Sequence, residues 1–132
     1  MNTIPSDNSL PAAIQELGQK LYNSHHQYKE PALKHRRFRH RDIVPLIEQL
    51  QDKSLFEVQV AGHSVQNRSI YLIKAGTGET RVLLWSQMHG DEPTATMALF
   101  DLLHFFSQSD ELDPVRKHLL EHLTLYIVPM LN

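Results

Sequence analysis

Cysteine is absent from this sequence of 132 residues, and its absence excludes two kinds of site. No disulfide can cross-link the fold, and no thiolate can bind a zinc ion. Histidine, in contrast, is abundant, since nine histidines accompany 15 acidic residues. Imidazole and carboxylate groups also bind zinc, so metal binding without cysteine stays a hypothesis worth testing.

Long apolar runs and a strong net charge are lacking as well. No stretch approaches the ~20 apolar residues of a membrane-spanning helix, and residues 1–15 lack the basic and apolar regions of a secretory signal. The formal net charge of -2 gives no overall attraction to nucleic acid or to an anionic membrane. We therefore expect a cytoplasmic globular protein with no nucleic-acid partner and no membrane partner.

Two helices are predicted in the first part of the chain, after a loose terminus at residues 1–10. Apolar residues recur at helical spacing between residues 14 and 21 and again between residues 43 and 50. Asp42 is suited to cap the second helix, and Pro45 fits only in a first helical turn. The sequence therefore predicts that this helix starts near Asp42.

Strand patterns dominate the middle of the chain. Phe56, Val58 and Val60 alternate with other residues, which predicts a half-buried strand, and a second strand begins at Ser69. The segment TGET after it has the chemistry of a hairpin turn. The run Val82–Trp85 is continuously apolar, as expected for a strand that is covered on both faces.

A helix that is apolar nearly all round follows Pro93, and a shorter helix and a final strand complete the pattern. A hairpin followed by a strand–helix–strand crossover predicts an α/β fold. We expect a mixed open sheet with helices on both faces.

Polar residues interrupt the pattern where the inner strand becomes a helix, in the segment His89, Gly90, Asp91 and Glu92. In open α/β sheets, ligands collect at this end of the strands. Gly90 allows a sharp turn, so His89 and Glu92 can converge on one cation such as Zn²⁺. Two ligands do not complete a catalytic zinc site, and on spacing alone a capping-and-turn role is an equal alternative.

Three segments in their order and spacing resemble the M14 family of zinc carboxypeptidases. That family has a G-x-S-x-x-x-R-x-I segment, a hydrophobic strand ending in H-x-x-E, and a later strand that leads into an Asn-Pro-Asp-Gly loop. His89 and Glu92 match the second motif, and VPMLN is similar to the start of the loop, with Asn132 as its first residue. The first motif is matched by Gly62, Ser64, Arg68 and Ile70.

The resemblance implies that His89 and Glu92 are two zinc ligands, with Glu92 binding through both oxygens. It also implies zinc-assisted hydrolysis of a peptide or amide bond near a free carboxylate. The family's third zinc ligand, catalytic Glu and substrate-binding Arg residues match no position here, so we expect them beyond residue 132. Residues 36–132 are predicted to be the N-terminal part of a catalytic domain, after a helical extension at residues 1–35. The chain alone is expected to be inactive.

Alternatives stay open on the same residues. The form H-G-D-E also resembles the succinylglutamate desuccinylase and aspartoacylase group and murein peptide amidases, whose substrates are acylated amino acids or cell-wall peptides. The chain could also be a non-catalytic binding or assembly module. Because an incomplete sheet exposes strand edges, we expect a homo-oligomer, a dimer or larger.

For the other polar residues we predict structural roles. The basic segment HRRFRHR, residues 35–41, is interpreted as a solvated lead-in to a helix. Arg68 is predicted to pair with a carboxylate, and Asp91 to cap the following helix or to orient His89. Asp101 is predicted to lie on a polar stripe of that helix with His104. Surface or packing roles are predicted for His104, His118 and His122.

Overall fold

The structure is a computed structural model that describes residues 11–132, so the loose terminus expected at residues 1–10 lies outside the described residues. Helices α1 (Ala12–Ser24) and α2 (His40–Gln51) come first, with a short 3-10 helix at His25–Tyr28 between them. The remaining elements are β1 (Phe56–His63), β2 (Ser69–Ala75), β3 (Thr80–Trp85), α3 (Thr94–Ser107), α4 (Asp113–His122) and β4 (Leu123–Val128). Among the described residues, no helix has the length and apolarity needed to cross a membrane.

The strands form one mixed sheet in the order β1-β2-β4-β3. β1 and β2 make an antiparallel hairpin, β4 runs antiparallel to β2, and β3 lies parallel to β4. A crossover through α3 and α4 joins the two parallel strands, because parallel neighbours need a long connection. The predicted α/β fold with a mixed sheet and helices is confirmed.

The segment after β2 does not form the predicted hairpin turn to β3, because β4 lies between these two strands. Its backbone instead packs against the junction of α4 and β4, where the amide group of Gly78 donates to the carbonyl group of Leu123 at 3.2 Å. A side chain at position 78 would lie only 1.8 Å from the backbone of His122. Glycine is therefore required here for close packing rather than for a hairpin turn.

Side chains from the sheet and the helices form one core. Alternate residues of the strands face it, and α2 and α3 each contribute a stripe at helical spacing. The most deeply buried large aliphatic and aromatic side chains of this core are Ile43, Ile47, Ile73, Phe100, Leu103, Leu112 and Ile127. Burying each of them contributes about 1.5–3 kcal/mol.

β3 is the edge strand of the described sheet, and only one of its faces is covered. Val82 and Leu84 pack against the core, whereas Leu83 and Trp85 are 57% and 52% exposed. Successive residues of a strand point to opposite faces, so a continuous apolar run does not by itself establish two covered faces. The prediction that Val82–Trp85 is covered on both faces is wrong for the described part of the chain.

α2 begins two residues earlier than the sequence predicted. Asp42 does not precede the helix but is its third residue, and its carboxylate accepts a hydrogen bond from the backbone amide of Arg39 at 2.6 Å. The carboxylate therefore caps the helix from inside the first turn. As a result Pro45 is the sixth helical residue, beyond the first turn where it was expected. The helix continues to Gln51 although Pro45 removes one backbone donor.

A buried cation joins the 3-10 helix to the connection between α3 and α4. Arg116 donates two parallel hydrogen bonds to Asp110, at 2.8 and 2.9 Å, and its Nε donates to the carbonyl group of Phe105. Its guanidinium also lies against the rings of Tyr28 and Phe105, at 5.5 and 4.4 Å. The Tyr28 hydroxyl donates to Asp110 at 2.8 Å, so the Asp110 carboxylate binds both Tyr28 of the 3-10 helix and Arg116 of α4.

The hydrogen bonds from Arg116, together with one from the backbone amide of Leu112, hold the pKa of Asp110 well below its usual range. Burial, followed by the hydrogen bond to Asp110, raises the pKa of Tyr28. The cluster therefore favours the ionised carboxylate of Asp110 and the neutral phenol of Tyr28.

Asp110→Asn should make the unfolding free energy less dependent on pH in acid. Because the pKa of Asp110 is lower in the folded than in the unfolded state, its carboxylate stabilises the fold above ~pH 4, and this contribution is lost as the pH falls. We expect the variant to be less stable than the parent at pH 7, with a smaller loss of stability between pH 5 and pH 3, measured by urea unfolding. Asp52→Asn, at the exposed end of α2, is the matched control. Equal pH slopes for Asp110→Asn and the parent would contradict the role assigned to Asp110.

Candidate metal centre

A buried glutamine forms the turn that leads from β3 towards α3. β3 ends at Trp85, four residues before His89. Two residues later Gln87 has a φ of 52°, in the left-handed region that non-glycine residues rarely adopt. This conformation costs about 1–2 kcal/mol for a residue with a side chain, so surrounding contacts must hold it.

Those contacts are hydrogen bonds in a buried polar network. Gln87 Nε2 donates to the carbonyl group of Gly90 at 2.8 Å, and the Thr96 hydroxyl donates to Gln87 Oε1 at 2.9 Å. The Ser86 hydroxyl lies 2.9 Å from that of Thr96 and donates to the carbonyl group of Pro129. Thr96 has no exposed surface, and Ser86 and Gln87 are buried. The network therefore connects the turn both to α3 and to the segment after β4.

The turn brings together the two residues predicted from the sequence. His89 Nδ1 and Glu92 Oε2 lie 3.1 Å apart, and the backbone amide of Glu92 donates to the carbonyl group of His89. Both side chains are about two-thirds exposed, at 64% and 67%, so a cation could reach them from solvent. An imidazole nitrogen and a carboxylate oxygen that face each other fit two ligands of one Zn²⁺ ion.

A third protein ligand is not found within residues 11–132. No group of three or more histidine, aspartate or glutamate side chains in this part of the chain could hold a metal. His118 and His122, whose rings are 4.2 Å apart, are exposed on α4, as predicted. His104 is partly buried and contacts Gln108, in line with its predicted packing role.

Three further predictions concern the structural roles of Arg68, Asp91 and Asp101. Arg68 forms no ion pair within the described residues, so its predicted carboxylate partner is not found there. The start of α3 has no side-chain cap, so the capping role of Asp91 is not found, and its alternative role in orienting His89 stays a prediction. Asp101, which was predicted to share a polar stripe of α3 with His104, accepts a hydrogen bond from the backbone amide of Glu30 at 2.7 Å, so it also joins α3 to the chain before α2.

A cleft of about 460 Å³ lies beside the turn. Gln87 and Gly90 form part of its wall, together with the start of α2, the β1–β2 turn and the segment after β4. Asn132 closes it on one side, because its backbone amide donates to the carbonyl group of Gln87 and its side chain donates to that of Met88. The candidate metal centre therefore adjoins a concave surface of the size that small ligands occupy.

Residues 43–132 match the family model for zinc carboxypeptidases. The chain belongs to the zinc carboxypeptidase family. His89 and Glu92 lie inside the matched region, as do the turn and the network that holds it. Among curated proteins no match is found.

Solved structures of metallo-carboxypeptidases have the same fold as this family member. The enzyme from Burkholderia cenocepacia aligns with a TM-score of 0.65 at 22% identity, over 72% of this chain and 27% of its own. The enzyme from Pseudomonas aeruginosa, in complex with (2-guanidinoethylmercapto)succinic acid, aligns with a TM-score of 0.61 at 24% identity. The alignment covers 72% of this chain and 26% of the Pseudomonas chain. Bovine thrombin-activatable fibrinolysis inhibitor, in complex with tick carboxypeptidase inhibitor, aligns with a TM-score of 0.55 at 20% identity. The alignment covers 72% of this chain and 31% of the bovine chain. The chain spans about a quarter to a third of the length of these proteins.

Thr96→Val should destabilise the fold by about 1–3 kcal/mol, because it keeps the shape of the side chain but leaves the buried Gln87 carbonyl without its donor. We also expect faster amide hydrogen exchange in residues 87–92, since the turn is held through Gln87. The unfolding free energy is measured with urea and the exchange by NMR. Thr94→Val, at the exposed start of α3, is the matched control. A loss no larger than that of the control would contradict the role given to the network.

Proposed function

We propose that the full-length gene product is a zinc-dependent metallocarboxypeptidase that hydrolyses a peptide or amide bond near a free carboxylate. We propose His89 and Glu92 as two of its zinc ligands, with Glu92 binding through both oxygens. The observation that carries the proposal is the 3.1 Å approach of His89 Nδ1 to Glu92 Oε2 in a chain of this family. The third zinc ligand, the catalytic Glu and the substrate-binding Arg residues are proposed to come from sequence beyond residue 132.

The residues of this chain would have distinct tasks in that reaction. A bound zinc ion would supply Lewis-acid chemistry, polarising a carbonyl group and lowering the pKa of a bound water. His89 and Glu92 would hold it next to the N-terminus of α3. The Gln87 network would fix the turn and so keep both ligands in one orientation. The 132-residue chain alone is proposed to bind zinc weakly and to hydrolyse nothing.

A carboxylate-bearing substrate is supported by two of the similar structures. The Pseudomonas aeruginosa protein is in complex with a succinic acid derivative, and the bovine protein with a carboxypeptidase inhibitor. We propose a peptide with a free C-terminal carboxylate as the substrate class, and an acylated amino acid as its alternative. The cytoplasmic location expected from the sequence stays a prediction.

His89→Ala and Glu92→Gln should each reduce the zinc content of the full-length protein and its hydrolytic activity by at least about a hundredfold, because each removes a ligand. Zinc is measured by mass spectrometry of the purified protein, and hydrolysis with a peptide that has a free C-terminus. His63→Ala, an exposed histidine at the end of β1, is the control that removes an imidazole elsewhere. Unchanged zinc content and activity in His89→Ala would refute the assignment.

A substrate panel separates the proposal from its alternatives. We expect the full-length protein to cleave a peptide with a free C-terminus and to leave its C-terminally amidated form intact. Faster hydrolysis of N-acyl amino acids would instead indicate a deacylase, and release of amino acids from cell-wall peptides would indicate a murein peptide amidase. Zinc binding without any of these activities would indicate a non-catalytic module.

We also propose that the 132-residue chain forms homo-oligomers through the outer face and edge of β3. Leu83 and Trp85 are more than half exposed on this strand, and an apolar edge strand favours pairing with another chain. Trp85→Lys should shift the chain towards monomer in light scattering, because a charge there opposes burial. Tyr22→Lys, 72% exposed on α1, is the control and should leave the mass unchanged. A monomeric parent chain would contradict the proposal.

A further inference from the structure

The cleft beside the candidate metal centre is bordered by cationic side chains on a chain whose net charge is -2. Arg39 and Arg68 both line it, and no aspartate or glutamate is among its lining residues. The apolar lining residues are Phe38, Val65, Ile70, Met130 and Leu131. This combination fits a ligand that carries carboxylates next to apolar groups.

Neither arginine has an acidic partner among the described residues. Three lysines form ion pairs, as in Lys20 with Glu111 and Lys74 with Glu57, and Arg116 is bound by Asp110. Arg39 and Arg68 form no ion pair within residues 11–132, and both are exposed at the cleft. Their guanidinium groups therefore stay available for a carboxylate from outside the chain.

Contacts made by His40 and by the Arg68 backbone hold the two arginines at the same cleft. The ring nitrogen Nε2 of His40, the residue after Arg39, bonds to the carbonyl group of Ser69 at 2.8 Å, and its ring stacks on Tyr71. This contact fixes the start of α2 against the start of β2. Arg68 lies in the tight β1–β2 turn, where its backbone amide and carbonyl groups both bond to Ser64. The spacing of the two backbones is therefore set by the fold rather than by the ligand.

The cleft adjoins the candidate metal centre. Gly90, which also lines it, lies between His89 and Glu92 in the chain. A peptide in the cleft could thus extend to the ligand pair, while its other residues contact Arg39 and Arg68. We infer that this cleft is a peptide-binding subsite for acidic residues of the substrate, with Arg39 and Arg68 pairing their carboxylates. The identification of the ligand as the peptide substrate rests on the proposed function.

The test measures binding to the metal-free 132-residue chain, so that it does not depend on zinc or on hydrolysis. The probe is the peptide acetyl-Phe-Glu-Glu-amide, compared with acetyl-Phe-Gln-Gln-amide, by calorimetry and by NMR shifts of residues 38–40 and 64–70. We expect the acidic peptide to bind at least about tenfold more tightly, since charge-assisted hydrogen bonds exceed neutral ones in strength. The preference should decrease when salt is raised, because the arginines are exposed.

Variants assign the preference to the two arginines. Arg39→Gln and Arg68→Gln should each reduce the preference for the acidic peptide several-fold, and Arg68→Lys should restore part of it because the charge remains. Arg81→Gln, which removes an exposed cation of β3, is the matched control and should have no effect. Equal binding of the two peptides, or an equal loss in Arg81→Gln, would overturn the inference. Either result leaves the zinc and hydrolysis measurements untouched, so the failure of this inference is distinguishable from that of the proposed function.

Discussion

The hydrogen bond from the Thr96 hydroxyl to Gln87 is the constraint on which the candidate metal centre depends. Gln87 is held at a positive φ that its side chain disfavours, and this conformation redirects the chain at the end of β3. The chain leaves the sheet at this turn, and His89 and Glu92 follow directly after it. Because Thr96 is fully buried in α3, the position of the turn is tied to the packing of the helix. The local strain at Gln87 is thus offset by contacts with the rest of the fold.

The element order and the approach of His89 to Glu92 were predictable because both depend on local patterns. Alternation and helical spacing gave the strands and helices, and three residues on a tight turn are enough to bring His89 to Glu92. The partners of each strand were less predictable, because pairing depends on long-range packing. The glycines after β2 have the composition of a hairpin turn, yet they pack on the junction of α4 and β4. In the same way, an apolar run at Val82–Trp85 does not tell an edge strand from a central one.

The buried network and the cleft were not predicted, and the reasons differ. Ser86 and Gln87 are polar residues at the end of an apolar run, which was a signal for a buried polar group, but only the fold shows that Thr96 is their partner. The cleft combines side chains from α2, the β1–β2 turn and the segment after β4, which are distant in sequence. The basic segment at residues 35–41 was interpreted as solvated. The structure places Arg39 of that segment on the cleft beside the candidate metal centre.

The position of β4 between β2 and β3 makes assembly of the site a late step in folding. β1 and β2 are neighbours in sequence and can pair as soon as both are synthesised, but β3 has no strand partner among the described residues until β4 is present. The parallel pairing of β3 with β4 then requires the intervening helices to fold, and such long-range contacts form slowly. During synthesis, His89 and Glu92 would leave the ribosome well before the strand that anchors their turn. The turn that carries them is therefore anchored from the C-terminal side of the described chain rather than from the hairpin.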